Sequence, residues 1–320
     1  MNYKPIIIVA GEPNSIFFEI FFKCLKKNYF KSPLVIIASY ELLNKQMKKL
    51  GFKFQVNLIN ENSLSLYKLN NKRINVINVD YNFKKPFENP SQKSNKYITE
   101  CFALALRIMK KNKFLKFING PVIKKNFLKQ KFLGITEYLA NKTNKKDVVM
   151  LIYNKKLSVS PITTHLPLQN VHKNISRVRI MNHIKLIKEF YKKTFKINPN
   201  IAITGLNPHC ESNFKSSEEE SIIKPAINAL IKKKYKVSGP FAADTIFIKE
   251  QSKRFDVIIG MYHDQVLTPV KTLFGFEAIN ITLGLPFVRI SPDHGPNISM
   301  LGKNLSNPIS LLKALKFLDK

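Results

Sequence analysis

Short runs of β-branched and other apolar residues alternate along the chain with longer segments that carry apolar residues at helical spacing. Such runs are typical of buried strands, and a 3.6-residue period indicates amphipathic helices. The pattern predicts strands at 6–10, 34–38, 74–79, 115–118, 148–153, 201–204 and 257–260. It predicts helices at 16–27, 40–50, 97–111, 175–191 and 218–234. This alternation favours an α/β architecture, in which ligands bind at the carboxyl ends of strands or between domains.

Length and composition place the chain among globular proteins. Its 320 residues fit one large domain or two of ordinary size, and 44% of them are hydrophobic, which excludes a disordered or fibrous chain. No Gly- or Ser-rich linker separates the halves, so any two domains must share a substantial junction. The three cysteines form no CxxC pair, which predicts free thiols in a reducing compartment. No signal peptide or membrane span is evident, so we expect a cytoplasmic protein without a membrane partner.

The net charge of +32 first suggests a polyanionic partner such as nucleic acid. However, only 6 of the 53 basic residues are arginines, whereas base recognition and bidentate phosphate binding favour the planar guanidinium. The lysine runs fall mostly on polar helix faces and have no interleaved aromatic residues that could stack on bases. We therefore expect solvated lysine faces rather than a nucleic-acid-binding surface.

Three of the six histidines lie in segments that come after strand-like runs: His165 in ITTHLPL, His209 in GLNPH and His263 in MYHDQ. Carboxyl ends of parallel strands meet at one edge of a sheet, so these imidazoles can converge. Three imidazoles leave coordination positions open for substrate, as in catalytic zinc, cobalt or nickel sites. Each could instead be an ordinary hydrogen-bonded histidine at the start of a loop. Their shared position after strands favours the metal site, whereas we expect His172 and His183 on the surface.

The segment that follows His263 carries groups suited to a small anion. Asp264, Lys271, Asn280 and Arg289 occur there among apolar strand formers. A lysine and one of the few arginines, with an asparagine, are suited to a phosphate or carboxylate head group.

No known nucleotide-binding or nucleophile motif is present: G-x-G-x-x-G, G-x-x-x-x-G-K-[ST] and G-x-S-x-G are all missing. Any cofactor must bind by another arrangement. The segment SPDHGPNISMLGKN is a candidate, because Gly295 and Gly302 allow a nucleotide to approach the backbone closely.

Six short motifs occur along the chain in a fixed order: ITTHLPL, GLNPH, ADTIF, MYHDQ, NITLGLPFVR and SPDHG. Together they resemble the 4-hydroxythreonine-4-phosphate dehydrogenases of pyridoxal 5'-phosphate biosynthesis. In the N-terminal half, GEPNSIFFEI, GPVIKK and GITEYLA agree more loosely. The resemblance therefore covers essentially the whole chain.

The resemblance implies an isocitrate/isopropylmalate-dehydrogenase-like fold of two α/β domains. Residues 1–130 with 285–320 would form the first domain, and 131–284 the second, which would carry the metal site and the dimer contacts. The implied enzyme is a homodimer with its active site in the interdomain cleft at the subunit interface. It would oxidise the 3-hydroxyl of 4-phosphooxy-L-threonine with NAD or NADP and release CO2, giving 3-amino-2-oxopropyl phosphate. A divalent zinc, magnesium or cobalt ion would assist.

The resemblance also assigns roles to individual residues. The metal ligands would be His165, His209 and His263, contributed from both subunits. The substrate contacts would be Thr136, Lys271, Asn280 and Arg289. Asp244 and Asp264 would lie nearby as catalytic or supporting groups, and the cofactor contacts would be His294, Gly295 and Gly302.

The chain departs from the family pattern at three places. Ile135 stands where the family has a histidine that contacts the substrate. In the N-terminal turn, glycines and a proline are usual, and this chain has Ser15, Phe17 and Phe18 instead. Ser299 stands where an aspartate is typical of the NAD-binding loop. Two alternatives follow: a decarboxylating dehydrogenase for another phosphorylated four-carbon hydroxy acid, such as 4-phospho-threonate, and a basic nucleic-acid-binding protein on the same scaffold. The retained histidines favour the dehydrogenase, because counterion-release binding does not need them.

Overall fold

The computed structural model describes residues 3–66, 69–123, 127–128, 132, 134–210, 216–275, 277–292 and 294–319. Its contacts divide the chain into two compact units. Unit 1 comprises Met1–Ile135 and Pro286–Lys320, and unit 2 comprises Thr136–Leu285.

Strands and helices alternate through most of the chain, which confirms the predicted α/β class. The strands are β1 (Ile6–Val9), β2 (Leu34–Ala38), β3 (Val56–Leu58), β4 (Ile74–Asn78), β5 (Lys116–Asn119), β6 (Val149–Tyr153), β7 (Ser158–Thr163), β8 (Ile201–Thr204), β9 (Val237–Phe241), β10 (Val257–Tyr262), β11 (Ile279–Leu283) and β12 (Val288–Ser291). The helices are α1 (Phe17–Lys27), α2 (Tyr40–Lys49), α3 (Ser94–Asn112), α4 (Ile135–Lys142), α5 (Arg177–Phe195), α6 (Lys224–Lys232), α7 (Lys249–Ser252), α8 (His263–Phe274) and α9 (Ile309–Leu318).

Unit 1 is built on a parallel sheet with the strand order β3-β4-β2-β1-β5-β12. All four residues of β1 and all five of β2 are buried, as expected for parallel strands that are covered on both faces. Helix α1 packs its phenylalanines into this core: Phe17 stacks on Phe21, and Phe18 on Phe22. The two bulky residues that replace the family's open turn are therefore core residues of this unit.

Unit 2 has the strand order β11-β6-β7-β10-β8-β9. Strand β6 runs antiparallel to β11 and β7, whereas β7, β10, β8 and β9 are mutually parallel. The carboxyl ends of these four strands therefore lie at one edge of the sheet, where ligands of open α/β sheets bind.

Two buried pairs of polar side chains join helix α5 to strand β7. The Tyr191 hydroxyl donates to Ser158 Oγ at 2.8 Å. Ser160 Oγ donates to the Met150 carbonyl at 2.5 Å, so its lone pairs accept from His183 Nε2 at 2.6 Å. The expected surface position of His183 is therefore wrong, because the residue is 5% exposed. Burial, helped by the positive charge of Arg179, lowers the pKa of His183 to about 3.

The predicted helix at 218–234 also differs from the structure. A π-helical turn over Glu219–Ile223 precedes α6. Cys24, Cys101 and Cys210 are free thiols, as predicted. Within the described ranges, no helix is both long and apolar enough to cross a membrane.

Candidate functional site

Four predicted site residues follow the carboxyl ends of neighbouring parallel strands in unit 2. His165 follows β7, His263 follows β10, His209 follows β8 and Asp244 follows β9. We call this set the histidine edge. His165, His209 and Asp244 are exposed, and the His263 side chain is 34% exposed. The sheet topology therefore accounts for the shared position after strands that singled out the histidines.

Two of the three imidazoles lie side by side. The ring centroids of His165 and His263 are 5.9 Å apart, with an angle of 37° between the ring planes. His263 is the first residue of α8, and its Nδ1 lies 2.7 Å from Asp264 Oδ1. A carboxylate accepts this bond, so in a neutral ring Nδ1 carries the proton and Nε2 has the lone pair. A carboxylate-oriented histidine of this kind is typical of metal sites.

His209 lies in a tight loop whose backbone is held by a buried carboxylate. His209 and Cys210 have φ angles of 57° and 58°, in the left-handed region that non-glycine residues rarely adopt. Glu219 is fully buried and accepts hydrogen bonds from the backbone N–H groups of Leu206 at 2.7 Å and Asn207 at 2.9 Å. Burial alone would raise the pKa of Glu219, but the hydrogen bonds from this loop outweigh it and lower the pKa. The loop is thus ordered around an ionised carboxylate.

The donor set at the histidine edge fits a divalent transition metal by its chemistry, because neutral imidazole is a preferred ligand of zinc and cobalt. One chain brings two of the three donors together. Within the described residues, however, no group of three or more His, Cys, Asp or Glu side chains is arranged to hold a metal ion. The third imidazole, on His209, is therefore not assembled with the other two in a single chain.

Gln265, which the sequence-based prediction did not single out, joins two of these strand ends. Its Oε1 accepts from Thr204 Oγ1 at 2.9 Å and from the Met261 N–H at 2.7 Å, and its Nε2 donates to the Gly205 carbonyl at 2.8 Å. The only sequence feature that could have drawn attention to Gln265 is its position two residues after His263. Its partners at the end of β8 are evident only in the folded chain.

Thr136, in α4, and Asn280, in β11, both belong to unit 2. Thr136 is buried in α4, with its Oγ1 3.5 Å from Thr282 Oγ1 of β11. Asn280 lies two residues before Thr282, so both side chains are on the same face of the strand. Asn280 Oδ1 is buried and has no hydrogen-bond partner in the described part of the chain. Buried polar atoms are normally satisfied, so this oxygen is a candidate acceptor for a ligand.

Lys271 is exposed and lies on α8, eight residues after His263. At a rise of about 1.5 Å per residue, this places the Lys271 backbone about 12 Å along the helix from the histidine edge.

The remaining predicted residues belong to unit 1. Arg289 of β12 is 3% exposed, and its Nε donates to Asn119 Oδ1 of β5 at 2.7 Å. Gly302 has a φ of 74°, and an added Cβ would lie 3.0 Å from the Phe87 ring, so glycine is required there. Gly295 is exposed, and His294 Nδ1 lies 3.0 Å from its carbonyl oxygen.

The departure at Ile135 has a clear structural setting. Ile135 begins α4 and is 7% exposed, whereas the adjacent Thr136 contacts β11. A buried aliphatic side chain neither donates a hydrogen bond nor carries charge. Ile135 therefore cannot make the hydrogen bond that the resemblance leads us to expect from a histidine at this position.

Comparison with known proteins gives a consistent result over almost the whole chain. Residues 30–318 match the family described as pyridoxal phosphate biosynthetic protein PdxA. The 4-hydroxythreonine-4-phosphate dehydrogenase of Sulfurihydrogenibium sp. (strain YO3AOP1) is 35% identical over 316 residues, covering 97% of this chain and 96% of the relative. A relative from Oceanobacillus iheyensis, provisionally named D-threonate 4-phosphate dehydrogenase, is 32% identical over 324 residues, covering 98% of this chain and 97% of the relative.

A solved structure supports the same relationship. The crystal structure of 4-hydroxythreonine-4-phosphate dehydrogenase from Klebsiella pneumoniae superposes with a TM-score of 0.85 at 27% identity. The match covers 99% of this chain and 97% of that chain. The predicted two-domain dehydrogenase fold is thus confirmed.

Proposed function

Because the chain belongs to the PdxA family of pyridoxal phosphate biosynthetic proteins, we propose that it is a 4-hydroxythreonine-4-phosphate dehydrogenase. The proposed reaction is oxidation of the 3-hydroxyl of 4-phosphooxy-L-threonine by NAD or NADP. Loss of the carboxylate as CO2 then gives 3-amino-2-oxopropyl phosphate. The observation that carries the proposal is the pair of imidazoles, His165 and His263, at adjacent strand ends with 5.9 Å between their centroids.

His165, His209 and His263 would hold a divalent metal ion. Imidazole donors favour zinc or cobalt over magnesium, which prefers oxygen ligands. When bound, the metal would polarise the substrate hydroxyl and then the ketone, so that first the proton and later the carboxylate depart more easily. Asp264 orients His263 by accepting from its Nδ1–H, and thereby presents the Nε2 lone pair.

The remaining groups would bind and orient the substrate. Lys271 and Arg289 would neutralise its phosphate and carboxylate. Asn280 Oδ1, buried without a described partner, would accept a hydrogen bond from the substrate, and Thr136 would contribute its hydroxyl. His294, Gly295 and Gly302 would contact the cofactor.

A homodimer with its active site at the subunit interface is part of this proposal. Two observations support it: His165 and His209 are exposed at the histidine edge, and the described residues of one chain form no three-ligand group. A second chain would complete the ligand set and shield these groups from water.

A second candidate substrate is a phosphorylated threonate, in which a hydroxyl replaces the amino group. Two observations favour it: the relative from Oceanobacillus iheyensis bears a D-threonate 4-phosphate dehydrogenase name, and Ile135 stands where the resemblance implies a substrate-binding histidine. Both substrates present a phosphate, a carboxylate and an oxidisable hydroxyl, so the same machinery would serve either.

The experiment that tests the function is NADH formation by the purified protein with each substrate in turn. We expect the largest kcat/KM with 4-phosphooxy-L-threonine, and loss of the signal when a chelator removes the metal. A larger kcat/KM with 4-phospho-D-threonate would select the second candidate. No metal-dependent NADH formation with either substrate would refute the dehydrogenase assignment.

A further inference from the structure

The Gln265 carboxamide occupies the point where the ends of β8 and β10 meet. We propose that Gln265 is a positioning residue, which sets the placement of His209 relative to His263 and thereby the affinity of the histidine edge for its metal. The inference rests on the proposed function, since it deepens the role of the same site. Gln265 itself would touch neither the metal nor the substrate.

Each polar atom of the carboxamide has a defined partner at one strand end. Oε1 accepts from the Met261 N–H at 2.7 Å and from Thr204 Oγ1 at 2.9 Å, while Nε2 donates to the Gly205 carbonyl at 2.8 Å. Only a carboxamide offers both an acceptor and a donor at this length. Glutamate would place a second acceptor against the Gly205 carbonyl, and methionine would form none of these bonds.

On the β8 side, the Gln265 contact continues directly into the loop that carries His209. Gly205 is bonded to Gln265, and the next two residues donate their N–H groups to the buried Glu219 carboxylate. Gly205 also lies against the far end of the loop, because an added Cβ would be 2.5 Å from Cys210 Sγ. Side-chain hydrogen bonds therefore hold the first part of the path from β8 to His209, before the 3-10 turn at Pro208–Cys210.

On the β10 side, both backbone polar groups of Met261 are engaged just before His263. Its N–H donates to Gln265, and its carbonyl accepts from Thr163 Oγ1 at 2.7 Å. Thr163 is the last residue of β7 and precedes His165 by two residues. One chain of hydrogen bonds thus links the ends of β7, β10 and β8, each of which carries one of the three histidines.

The competing interpretation is that Gln265 only caps α8. It is the third residue of that helix and reaches back to a backbone N–H before it, as the glutamine of a capping box does. A cap would affect stability alone. The bonds to Thr204 and Gly205 are not capping bonds, because they lead to a different strand.

The test compares three variants of the full-length protein. Gln265→Met removes all three bonds at similar side-chain length, and Thr204→Val removes one of them without changing shape. Tyr191→Phe is the matched control, because it removes a buried hydroxyl bond at Ser158, at the opposite end of β7 from His165. Zinc affinity is measured by competition with a chromophoric chelator, together with kcat, KM for each substrate and urea unfolding.

We expect Gln265→Met to weaken zinc binding and lower kcat by about 10- to 100-fold, the range typical of changes that reorient metal ligands. Thr204→Val should weaken zinc binding by about fivefold, as expected for one hydrogen bond. KM for NAD should stay unchanged in both. Tyr191→Phe should lower stability but leave zinc affinity within twofold of wild type.

Zinc affinity of Gln265→Met within twofold of wild type, with reduced stability only, would assign the residue to capping and overturn the inference. So would a wild-type protein that does not bind zinc. Should Gln265→Met fail to fold, Thr204→Val decides the matter by the same criterion. The zinc titration is independent of turnover: a wild type inactive on both substrates would refute the proposed function, while the affinities would still test the role of Gln265.

Discussion

Strand β7 carries polar groups in two different settings, one beneath α5 and one at the histidine edge. Beneath α5, Ser158 pairs with Tyr191 and Ser160 with His183, and all four residues are buried. Two residues beyond the strand, His165 is exposed beside His263. Satisfied buried pairs contribute to the packing of helix on sheet, whereas exposed imidazoles contribute little to the core.

His183 and His263 differ in burial and in hydrogen-bond partner. His183 is buried and bonded to Ser160, whereas His263 is partly exposed and bonded to Asp264. Burial, helped by the positive charge of Arg179, lowers the pKa of His183 and keeps this imidazole neutral. Asp264 is exposed and lies against His263 Nδ1, so its carboxylate can orient this ring towards a metal. Substitutions at the histidine edge should therefore lower activity, whereas substitutions beneath α5 should lower stability.

The largest expected effect is that of His263→Ala on turnover. Loss of this proposed metal ligand should lower kcat/KM by at least about 100-fold, because changes to residues that only hydrogen-bond a metal ligand already reduce activity by up to about that factor. The urea midpoint should remain within experimental error of wild type, because the side chain is outside the core. His172→Ala, at an exposed histidine off the histidine edge, is the control and should retain activity. Undiminished turnover of His263→Ala would refute the ligand role.

The next effect is a pH dependence of stability that originates at His183. Its pKa is about 3 in the folded protein and 6.5 without the fold, so the unfolded chain binds the proton more readily. The stabilising contribution is complete above about pH 6.5 and is lost as the pH falls towards 3. The slope for one group is up to about 1.4 kcal/mol per pH unit.

His183→Leu provides the measurement, because Ser160 keeps its bond to the Met150 carbonyl in that variant. The difference in unfolding free energy between wild type and His183→Leu should become more negative between pH 6.5 and pH 4, as the wild type alone loses this contribution. Urea titrations at four pH values would determine it. A difference that does not change with pH would contradict a buried neutral His183.

The smallest expected effect is that of Tyr191→Phe. The variant keeps the ring in place and removes the hydroxyl that donates to Ser158 at 2.8 Å. A single buried hydrogen bond of this kind contributes about 1 kcal/mol to the free energy of unfolding. Urea unfolding should show a loss of that size with unchanged kcat. A clear loss of kcat in this variant would mean that the hydrogen bonds beneath α5 also affect the histidine edge.

The positions of the metal-ligand candidates could be predicted because they depend on local pattern. The run at 201–204 is β8, and that at 257–260 is the first part of β10, so His209 and His263 fall after strand ends. Parallel pairing of these strands then brings the loops to one edge. Short apolar runs, and the polar residues that follow them, can be recognised in a single sequence.

His183 could also have been placed correctly from spacing. It lies three residues after Ile180 and four before Ile187, two fully buried positions of α5, and therefore on the apolar face of that helix. The many lysines around His183 made the apolar spacing of this helix hard to recognise in the sequence. The role of Gln265 was beyond such reasoning, because Thr204 and Gly205 come from a distant part of the chain and meet it only through the order of the strands.

The most direct test of the account is anomalous X-ray diffraction at the zinc edge from crystals of the protein grown with zinc. We predict a peak within bonding distance of Nε2 of His165 and His263, with a His209 imidazole as the third ligand. A zinc-soaked crystal with ordered histidines at this edge and no anomalous peak between them would contradict it.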